Sequence, residues 1–359
     1  MSFLIFLIVL SVLIIVHEFG HFVVAKALGV KVERFALGFG PKIISKVYGG
    51  TEFMLCVFPL GGYVKMAGDE RDQCKGLPDE YFSKPPGHRS LIVLMGPVVN
   101  YLLAYLCFCL VFVLGYPTIA SRVGEVLKGY PAEQSGLKAG DTIVRIEDKQ
   151  ILSWEDIQQT IATSVESQLD FEVLREDETH KISVTPQKEV LENIFGQKET
   201  VRVVGIKPVD EIIILKYPPH QSLVMAFLRL KEITTMTYKA LYRMATGAMS
   251  PKETMTGPIG IFYIIKKAAE MGFPYLLYIV GVISASLAIF NLLPFPILDG
   301  GHLVLLGLEK VRGQALPKKV DETIARVGFS LIICLALFVF YSDFVRFGWI
   351  DKFMSLWQR

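Results

Sequence analysis

Cysteine is scarce in this sequence, and no two cysteines stand at the Cys-x-x-Cys spacing of thiolate metal sites and redox motifs. The five cysteines are odd in number, and none lies between residues 117 and 330. A disulfide framework and an all-cysteine metal site are therefore not expected. A large net charge is also missing, because 37 basic and 35 acidic residues leave only +2, so nothing points to a nucleic-acid partner.

Charged residues make up 20% of the chain, whereas 52% of residues are hydrophobic and the mean hydropathy is +0.44. This balance indicates that lipid surrounds much of the chain. Three uncharged apolar stretches and a shorter fourth can cross a hydrocarbon core of about 30 Å, which takes about 20 helical residues. They are residues 2–16, 91–116, 273–298 and 327–342. The first lacks both a preceding basic residue and a small-x-small cleavage site, so we interpret it as a retained span.

The segment 222–250 is also apolar, but five charged residues interrupt it. Leu223, Phe227 and Leu230 recur in it at helical spacing, which predicts an amphipathic helix lying in the membrane interface. Basic residues are concentrated in the loop between the first two spans and in the loop before the last. The positive-inside rule therefore predicts that both loops are cytoplasmic and that the amino terminus lies outside.

Residues 17–21 read His-Glu-Phe-Gly-His at the end of the first span. Helix positions i and i+4 share one face, so His17 and His21 can bind one Zn²⁺ with Glu18 beside a water molecule. Zinc lowers the pKa of water to about 7, and Glu18 can accept its proton before attack on a peptide carbonyl. Ionisable side chains at membrane depth are costly and usually functional, which favours a metal site over packed core histidines.

A catalytic zinc ion needs a third protein ligand, for which Asp299 is the best candidate. It follows Asn291-Leu-Leu-Pro-Phe-Pro-Ile-Leu and precedes two glycines. An Asp-Gly pair alone usually marks a turn, but the topology brings the ends of the first and third spans to the same cytoplasmic depth, provided that 222–250 does not cross. His302 is left out because three ligands are already present. Asn291 can hydrogen-bond an extended substrate, or it can make a polar contact between helices.

Residues 31–66 alternate apolar and polar side chains in two runs around a basic, glycine-rich turn, which predicts a membrane-associated β-hairpin. A helical substrate hides its carbonyl groups in its own hydrogen bonds and must unwind before attack. A hairpin edge can supply replacement hydrogen bonds in strand form. Gly61, Gly62 and Tyr63 are the candidate substrate-binding residues on this hairpin.

Residues 119–207 form the one sizeable soluble block. Its Ser135-Gly-Leu-Lys-Ala-Gly-Asp141 stretch, followed by an apolar strand at Thr142–Ile146, resembles a circularly permuted bacterial PDZ domain. Such domains capture an extended peptide at a sheet edge, often by its free carboxyl end. The alternative is a steric plug without peptide affinity.

The motifs together resemble the site-2 protease family of intramembrane metalloproteases, and within it the bacterial RseP-type regulators of sigma-E. The matching pieces are His17–His21, Phe35-Ala-Leu-Gly-Phe-Gly-Pro41, Pro59-Leu-Gly-Gly-Tyr-Val-Lys65, Gly96-Pro-Val-Val-Asn100, Gly257-Pro-Ile-Gly260 and Asn291–Gly301. The resemblance covers nearly the whole chain. One departure is that the type members of the RseP group carry two tandem PDZ modules, whereas this chain has room for one.

The resemblance implies one zinc ion per chain, held by His17, His21 and Asp299, with Glu18 as base. It also implies a multi-pass protein of the bacterial inner membrane, with the PDZ-like domain in the periplasm and the active site near the cytoplasmic side. Its implied substrates are single-span membrane proteins such as anti-sigma factors already trimmed by another protease, and leftover signal peptides.

The predicted fold is a polytopic α-helical membrane protein with four transmembrane helices, a membrane-associated β-hairpin and one inserted α/β PDZ-like domain. The predicted segments are a first transmembrane helix with the metal motif (1–28), the hairpin region (29–89), a second transmembrane helix (90–116), the PDZ-like domain (117–210), an amphipathic interfacial region (211–270), a third transmembrane helix with the aspartate ligand (271–300), a cytoplasmic loop (301–325), a fourth transmembrane helix (326–345) and a tail (346–359).

Two other functional classes stay open at this point. A membrane metal transporter or metal sensor could use the same ligands without proteolysis, but a transport site has no need of a base such as Glu18. A non-proteolytic scaffold that carries a PDZ domain is disfavoured because the three ligands and the base are all present.

Overall fold

The structure is a computed structural model that describes residues 2–192, 198–250, 256–314 and 317–346. Within these residues the chain forms nine α-helices: α1 (Ser2–Ala27), α2 (Pro86–Leu114), α3 (Pro131–Ser135), α4 (Trp154–Thr163), α5 (Pro219–Ala245), α6 (Pro258–Glu270), α7 (Phe273–Asn291), α8 (Asp299–Arg312) and α9 (Lys318–Arg346). The tail predicted over 346–359 lies outside the described residues except for Arg346.

Twelve strands accompany these helices in the described part of the chain. They are β1 (Val32–Tyr48), β2 (Thr51–Met66), β3 (Tyr116–Ile119), β4 (Val123–Val126), β5 (Thr142–Ile146), β6 (Lys149–Gln150), β7 (Leu169–Arg175), β8 (Glu178–Val184), β9 (Gln187–Glu192), β10 (Lys198–Val203), β11 (Ile206–Pro208) and β12 (Ile212–Leu215). The chain divides into two compact units. One contains the described parts of Met1–Leu110, Leu223–Lys239 and Ser250–Arg359, and the other contains Val111–Ser222 and Ala240–Met249.

Four helices of the described chain are long and apolar enough to cross a membrane: α1, α2, α7 and the Arg326–Arg346 part of α9. They correspond to the four predicted spans. Helix α5 is not among them, in agreement with its prediction as an amphipathic helix. Its residues Leu223, Phe227 and Leu228 expose about half or more of their surfaces.

Small residues allow the first two spans to approach closely near the metal motif. A Cβ atom on Gly20 of α1 would lie 2.4 Å from the carbonyl oxygen of Met95 in α2. Further towards its amino terminus, α1 buries Phe6, Val9 and Leu13 against side chains of α6 and α7. The motif end of α1 is therefore held against α2, and its other end is held by apolar packing.

The predicted hairpin is present, but its two long strands fold back on each other. Residues Arg34–Leu37 of β1 pair on one side with Glu52–Leu55 and on the other side with Gly62–Lys65, while Ile44–Val47 pair with the outer side of Glu52–Leu55. The result is a four-segment sheet in which Gly62–Lys65 forms one edge. The ring of Phe22 in α1 contacts the rings of Phe35 and Phe53, with centroids 5.5 and 5.7 Å apart, which anchors the sheet to the first span.

The third span ends earlier than the sequence predicts. Helix α7 ends at Asn291, and Asp299 is the first residue of the separate helix α8. Pro294 and Pro296 lie in the connection between the two helices. Proline breaks a helix interior, so α7 cannot continue through these two positions. A Cβ atom on Gly301 would lie 2.0 Å from the carbonyl oxygen of Phe295, so only glycine there allows the connection to fold tightly against the start of α8.

The second unit contains the predicted soluble domain. Strands β6, β5, β7 and β8 form an antiparallel sheet in that order, and β4–β11, β9–β10 and β3–β12 form antiparallel pairs. A single core includes the buried side chains of Ile143, Ile157 and Phe171. Helix α4 begins at a capping box in which Ser153 and Asp156 satisfy each other's backbone N–H groups. The strand predicted at Thr142–Ile146 is β5.

Candidate metal centre

The two histidines of the motif lie one turn apart on α1, and both are buried against α2. Their Nε2 atoms are 3.2 Å apart. The rings are nearly perpendicular, at 87°. The i, i+4 spacing therefore directs the imidazoles of His17 and His21 to one point, as the sequence predicts.

The carboxylate of Asp299 completes the cluster from the first turn of α8. Its Oδ2 atom lies 3.1 Å from Nε2 of His17 and 3.7 Å from Nε2 of His21. Among the described residues, this is the one group of three or more histidine, cysteine or acidic side chains whose ligand atoms converge closely enough for a metal ion. Residues almost 280 positions apart in sequence are thus brought together.

The geometry fits a zinc ion. Zinc ligands at about 2.0–2.2 Å in a tetrahedral arrangement stand roughly 3.3 Å from one another, close to the distances between the three donor atoms here. Oδ2 of Asp299 is buried and has no hydrogen-bond partner among the residues that the structure describes. It lies within ion-pair distance of both rings, yet neither ring presents an N–H group to it in hydrogen-bond geometry. A cation would satisfy this oxygen.

Helix α2 supports both histidines. Nδ1 of His21 lies 2.9 Å from the carbonyl oxygen of Ile92, which fixes the orientation of that ring. One turn further along α2, a Cβ atom on Gly96 would lie 2.3 Å from Nε2 of His21 and 2.8 Å from Cε1 of His17. The absence of a side chain at Gly96 therefore creates the space that the two rings occupy.

Glu18 stands between the metal cluster and the edge of the four-segment sheet. Its half-buried carboxylate interacts electrostatically with both imidazoles and with Asp299, and it accepts a hydrogen bond from the backbone N–H of Val64. A Cβ atom on Gly62 would lie 3.4 Å from Cγ of Glu18. The sheet edge therefore runs directly beside the carboxylate.

The remaining predicted site residues lie around this centre. Gly61 has a φ of +111°, and a Cβ atom there would clash with the ring of Phe39. Tyr63 stacks on the same ring, with centroids 6.2 Å apart. Asn291 is the half-buried last residue of α7. His302 is not part of the converging group and lines a separate cavity of about 200 Å³.

Gly96 and Tyr81 also lie at this centre, and neither is among the site residues predicted from the sequence. Gly96 belongs to the Gly96-Pro-Val-Val-Asn100 motif that the sequence shares with the family. The role of this glycine becomes clear only in the structure, where α2 packs against the histidines of α1. Burial raises the pKa of Tyr81 to about 12; Arg89 opposes this shift, and the carboxylate of Asp299 adds to it. Tyr81 therefore stays a neutral phenol close to the centre, and no sequence pattern marks it.

A helical chain with membrane-spanning segments, a His-Glu-x-x-His helix and a converging aspartate defines the class of multi-pass membrane zinc metalloproteases. The family model described as "Peptidase family M50" matches residues 5–335. The chain therefore belongs to peptidase family M50, the site-2 protease family. Zinc is accordingly its cofactor, and it is a metalloprotease.

Relatives of similar length support the same family. A predicted zinc metalloprotease from Clostridium acetobutylicum is 35% identical, and the match covers 93% of this chain and 95% of that protein. Metalloprotease MmpA from Caulobacter vibrioides is 31% identical, with 97% of this chain and 96% of that protein covered. Among solved structures, the PDZ domain of an SdrC-like protein from Listeria monocytogenes is 21% identical over 25% of this chain and 86% of its own, with a TM-score of 0.20.

Proposed function

We propose that this chain is an endopeptidase that cuts the transmembrane segments of single-span membrane proteins, with His17, His21 and Asp299 as zinc ligands and Glu18 as the general base. The observation that carries the proposal is the convergence of two Nε2 atoms and one carboxylate oxygen within 3.7 Å of one another at the end of an apolar span. Glu18, one residue along the same helix, faces the same centre.

A zinc ion bound there would supply Lewis-acid chemistry, which polarises a peptide carbonyl and acidifies water. The other parts of the reaction fall to the protein. The Glu18 carboxylate accepts the proton of the attacking water and can return it to the leaving amine. The N–H of Val64 donates to this carboxylate, which holds it in place.

The sheet edge beside Glu18 offers a place to bind the unwound substrate. Successive residues of a β-strand point their N–H groups to opposite edges, so residues two apart point to the same edge. Since the N–H of Val64 points to Glu18, the N–H of Gly62 also points away from β1 and can pair with an extended peptide. Gly61 and Tyr63 shape the same edge, and Asn291 can contact the peptide from α7.

The PDZ-like unit is proposed to bind peptide or to control substrate access. A groove of about 460 Å³ separates α4 from the strand β10, and its lining includes Ile157, Ile161 and Val203. Among the described strands, β10 pairs only with β9, so its other edge is available for strand addition. Peptides with free carboxyl ends suit such a groove.

The proposed location is the bacterial inner membrane. The amino terminus and the PDZ-like unit would be periplasmic, and the metal centre would lie near the cytoplasmic side, because the basic loops obey the positive-inside rule. The proposed substrates are anti-sigma-factor-like proteins that another protease has already trimmed, and remnant signal peptides. Both follow from the family resemblance.

The decisive experiment compares wild type with Glu18→Gln in reconstituted vesicles, using single-span peptides with and without their outer domains. We expect the variant to keep its zinc and to cleave at least about 100-fold more slowly, because general-base catalysis contributes a rate factor of about 10²–10⁴. A metal transporter would instead keep zinc flux in the Glu18→Gln protein. Cleavage at the wild-type rate by this variant would refute the proposal.

The role of the sheet edge has its own test. Gly62→Pro removes the outward N–H that an extended substrate would use, while Gly62→Ala adds the same Cβ atom and keeps the N–H. We expect Gly62→Pro to abolish cleavage without releasing zinc, and Gly62→Ala to retain more activity. Equal cleavage by the two variants would show that the edge does not pair with substrate.

A further inference from the structure

The two histidines differ in what faces the nitrogen that points away from the metal cluster. Nδ1 of His21 faces the carbonyl oxygen of Ile92 at 2.9 Å, and a carbonyl can only accept a hydrogen bond. Nδ1 of His21 therefore carries the hydrogen. Its Nε2 atom is left with a free lone pair, as a metal ligand requires.

Nδ1 of His17 faces a side-chain amide instead. Nδ2 of Asn100 lies 3.4 Å from it, and both residues are buried. An amide nitrogen can only donate, so in this arrangement Nδ1 of His17 accepts and the hydrogen of the ring is on Nε2. That tautomer cannot bind a metal ion through Nε2 of His17.

The other end of the same amide lacks a partner. Oδ1 of Asn100 is buried without a hydrogen-bond partner in the described part of the chain. A buried amide oxygen in this state keeps the full penalty of its lost hydration. The backbone of Asn100 is fixed, because the buried hydroxyl of Ser284 in α7 donates to its carbonyl oxygen at 2.7 Å. Rotation of the amide by about 180° exchanges oxygen and nitrogen with little change of shape.

We propose that Asn100 is a positioning residue for the metal centre: with its amide oriented so that Oδ1 faces His17, Oδ1 accepts the Nδ1 hydrogen of that ring. This inference rests on the proposed role of His17 as a ligand. This orientation satisfies Oδ1 and fixes the tautomer in which Nε2 of His17 is free to bind zinc. Metal-binding histidines commonly donate their second nitrogen in this way, and loss of the acceptor typically weakens metal binding by about 10–100-fold.

The test is the zinc affinity of metal-stripped full-length protein in detergent, measured against a competing chelator. Asn100→Leu has a similar volume but no acceptor, and we expect its zinc affinity to fall by about 10–100-fold. Asn100→Asp keeps an acceptor oxygen, and its affinity should stay within about threefold of wild type. Cys107→Ala shortens another buried α2 side chain that faces α7, and it should leave zinc affinity unchanged.

His17→Ala separates the two proposals. If His17→Ala keeps its zinc, the ligand assignment itself is wrong. If His17→Ala loses zinc while folded Asn100→Leu binds it as tightly as wild type, only the role of Asn100 is wrong. A loss of zinc affinity in Asn100→Asp as large as that in Asn100→Leu would also overturn that role.

A measurement on the wild type needs no variant to fold. With ¹⁵N-labelled histidine, NMR should show the hydrogen of His17 on Nδ1 in the zinc-loaded protein. The Nδ1 hydrogen should exchange slowly with water, because a buried acceptor holds it. A zinc-loaded protein whose His17 carries no hydrogen on Nδ1, or a rapidly exchanging one, would contradict the proposal.

Discussion

Gly96 of the second span lies directly against His21 of the first, so that a methyl group on Gly96 would come within 2.3 Å of the Nε2 atom. No atom of the ring can be approached so closely without displacement. The position of the metal-binding nitrogen therefore depends on an absent side chain on a neighbouring helix, and not only on the motif that carries the histidine.

The first prediction concerns this contact. Gly96→Ala should displace both imidazoles and weaken zinc binding by at least about tenfold, comparable to losing a supporting hydrogen bond. Gly87→Ala is the matched control, because Gly87 is on the same helix and a Cβ atom there has no neighbour within 4 Å. Zinc content of the purified proteins measures the difference, and equal zinc content would contradict the prediction.

The second prediction distinguishes the proposed third ligand from the nearby histidine. Asp299→Ala should lower the zinc affinity by more than about 100-fold. Loss of a hydrogen bond that supports a ligand costs about 10–100-fold, and loss of the ligand itself costs more. His302→Ala should bind zinc normally, because His302 lines a different cavity. Competition with a chelator measures both. Retention of zinc by Asp299→Ala would show that Asp299 is not a ligand. Loss of zinc in His302→Ala would show that His302 contributes to the site.

The third prediction concerns the last span. The buried carboxylate of Asp343 accepts hydrogen bonds from the backbone N–H groups of Gly257, Ile259 and Gly260 at 3.0–3.1 Å. It thereby joins α9 to the first turn of α6. Asp343→Ala leaves these three donors unpaired and should destabilise the protein by about 1–3 kcal/mol.

Thermal unfolding in detergent measures this effect, with Tyr341→Phe as a control on an exposed residue of the same helix. We expect a lower midpoint for Asp343→Ala only. Equal midpoints for the two variants would mean that the three hydrogen bonds contribute nothing measurable.

The fourth prediction is a pH dependence in the PDZ-like unit. Burial acts to raise the pKa of Asp141, but hydrogen bonds from Arg175 and from the backbone of Lys138 outweigh it and hold the pKa below 3.8. Since the folded-state pKa is lowered, the ionised carboxylate stabilises the fold above pH 3.8, and this stabilisation is lost as the pH falls through the folded-state pKa.

Asp141→Asn should therefore destabilise the unit by about 1.5–3 kcal/mol at pH 7, with a smaller difference from wild type below about pH 4. Hydrogen exchange of peptides from this unit, measured in the full-length protein, reports the difference. A destabilisation of the same size at pH 7 and at pH 3 would show that charge is not its cause.

The sequence predicts those parts of the structure that follow local patterns. The four spans, the strand at Thr142–Ile146 and the pairing of His17 with His21 depend only on hydropathy or on helical spacing. The choice of Asp299 depends on the predicted topology, in which two spans of the same direction end at the same depth. What the sequence did not predict depends on tertiary contacts. Neither the double pairing of β1 nor the support from Gly96 has a local signature.

The row of α2 that faces the motif has a consequence for the surrounding lipid. Residues 92, 96 and 100 lie four apart and therefore form one line along the helix, so they move together when the helix tilts. Spans tilt to match the thickness of the bilayer. We therefore expect the strength of zinc binding in vesicles to vary with acyl-chain length.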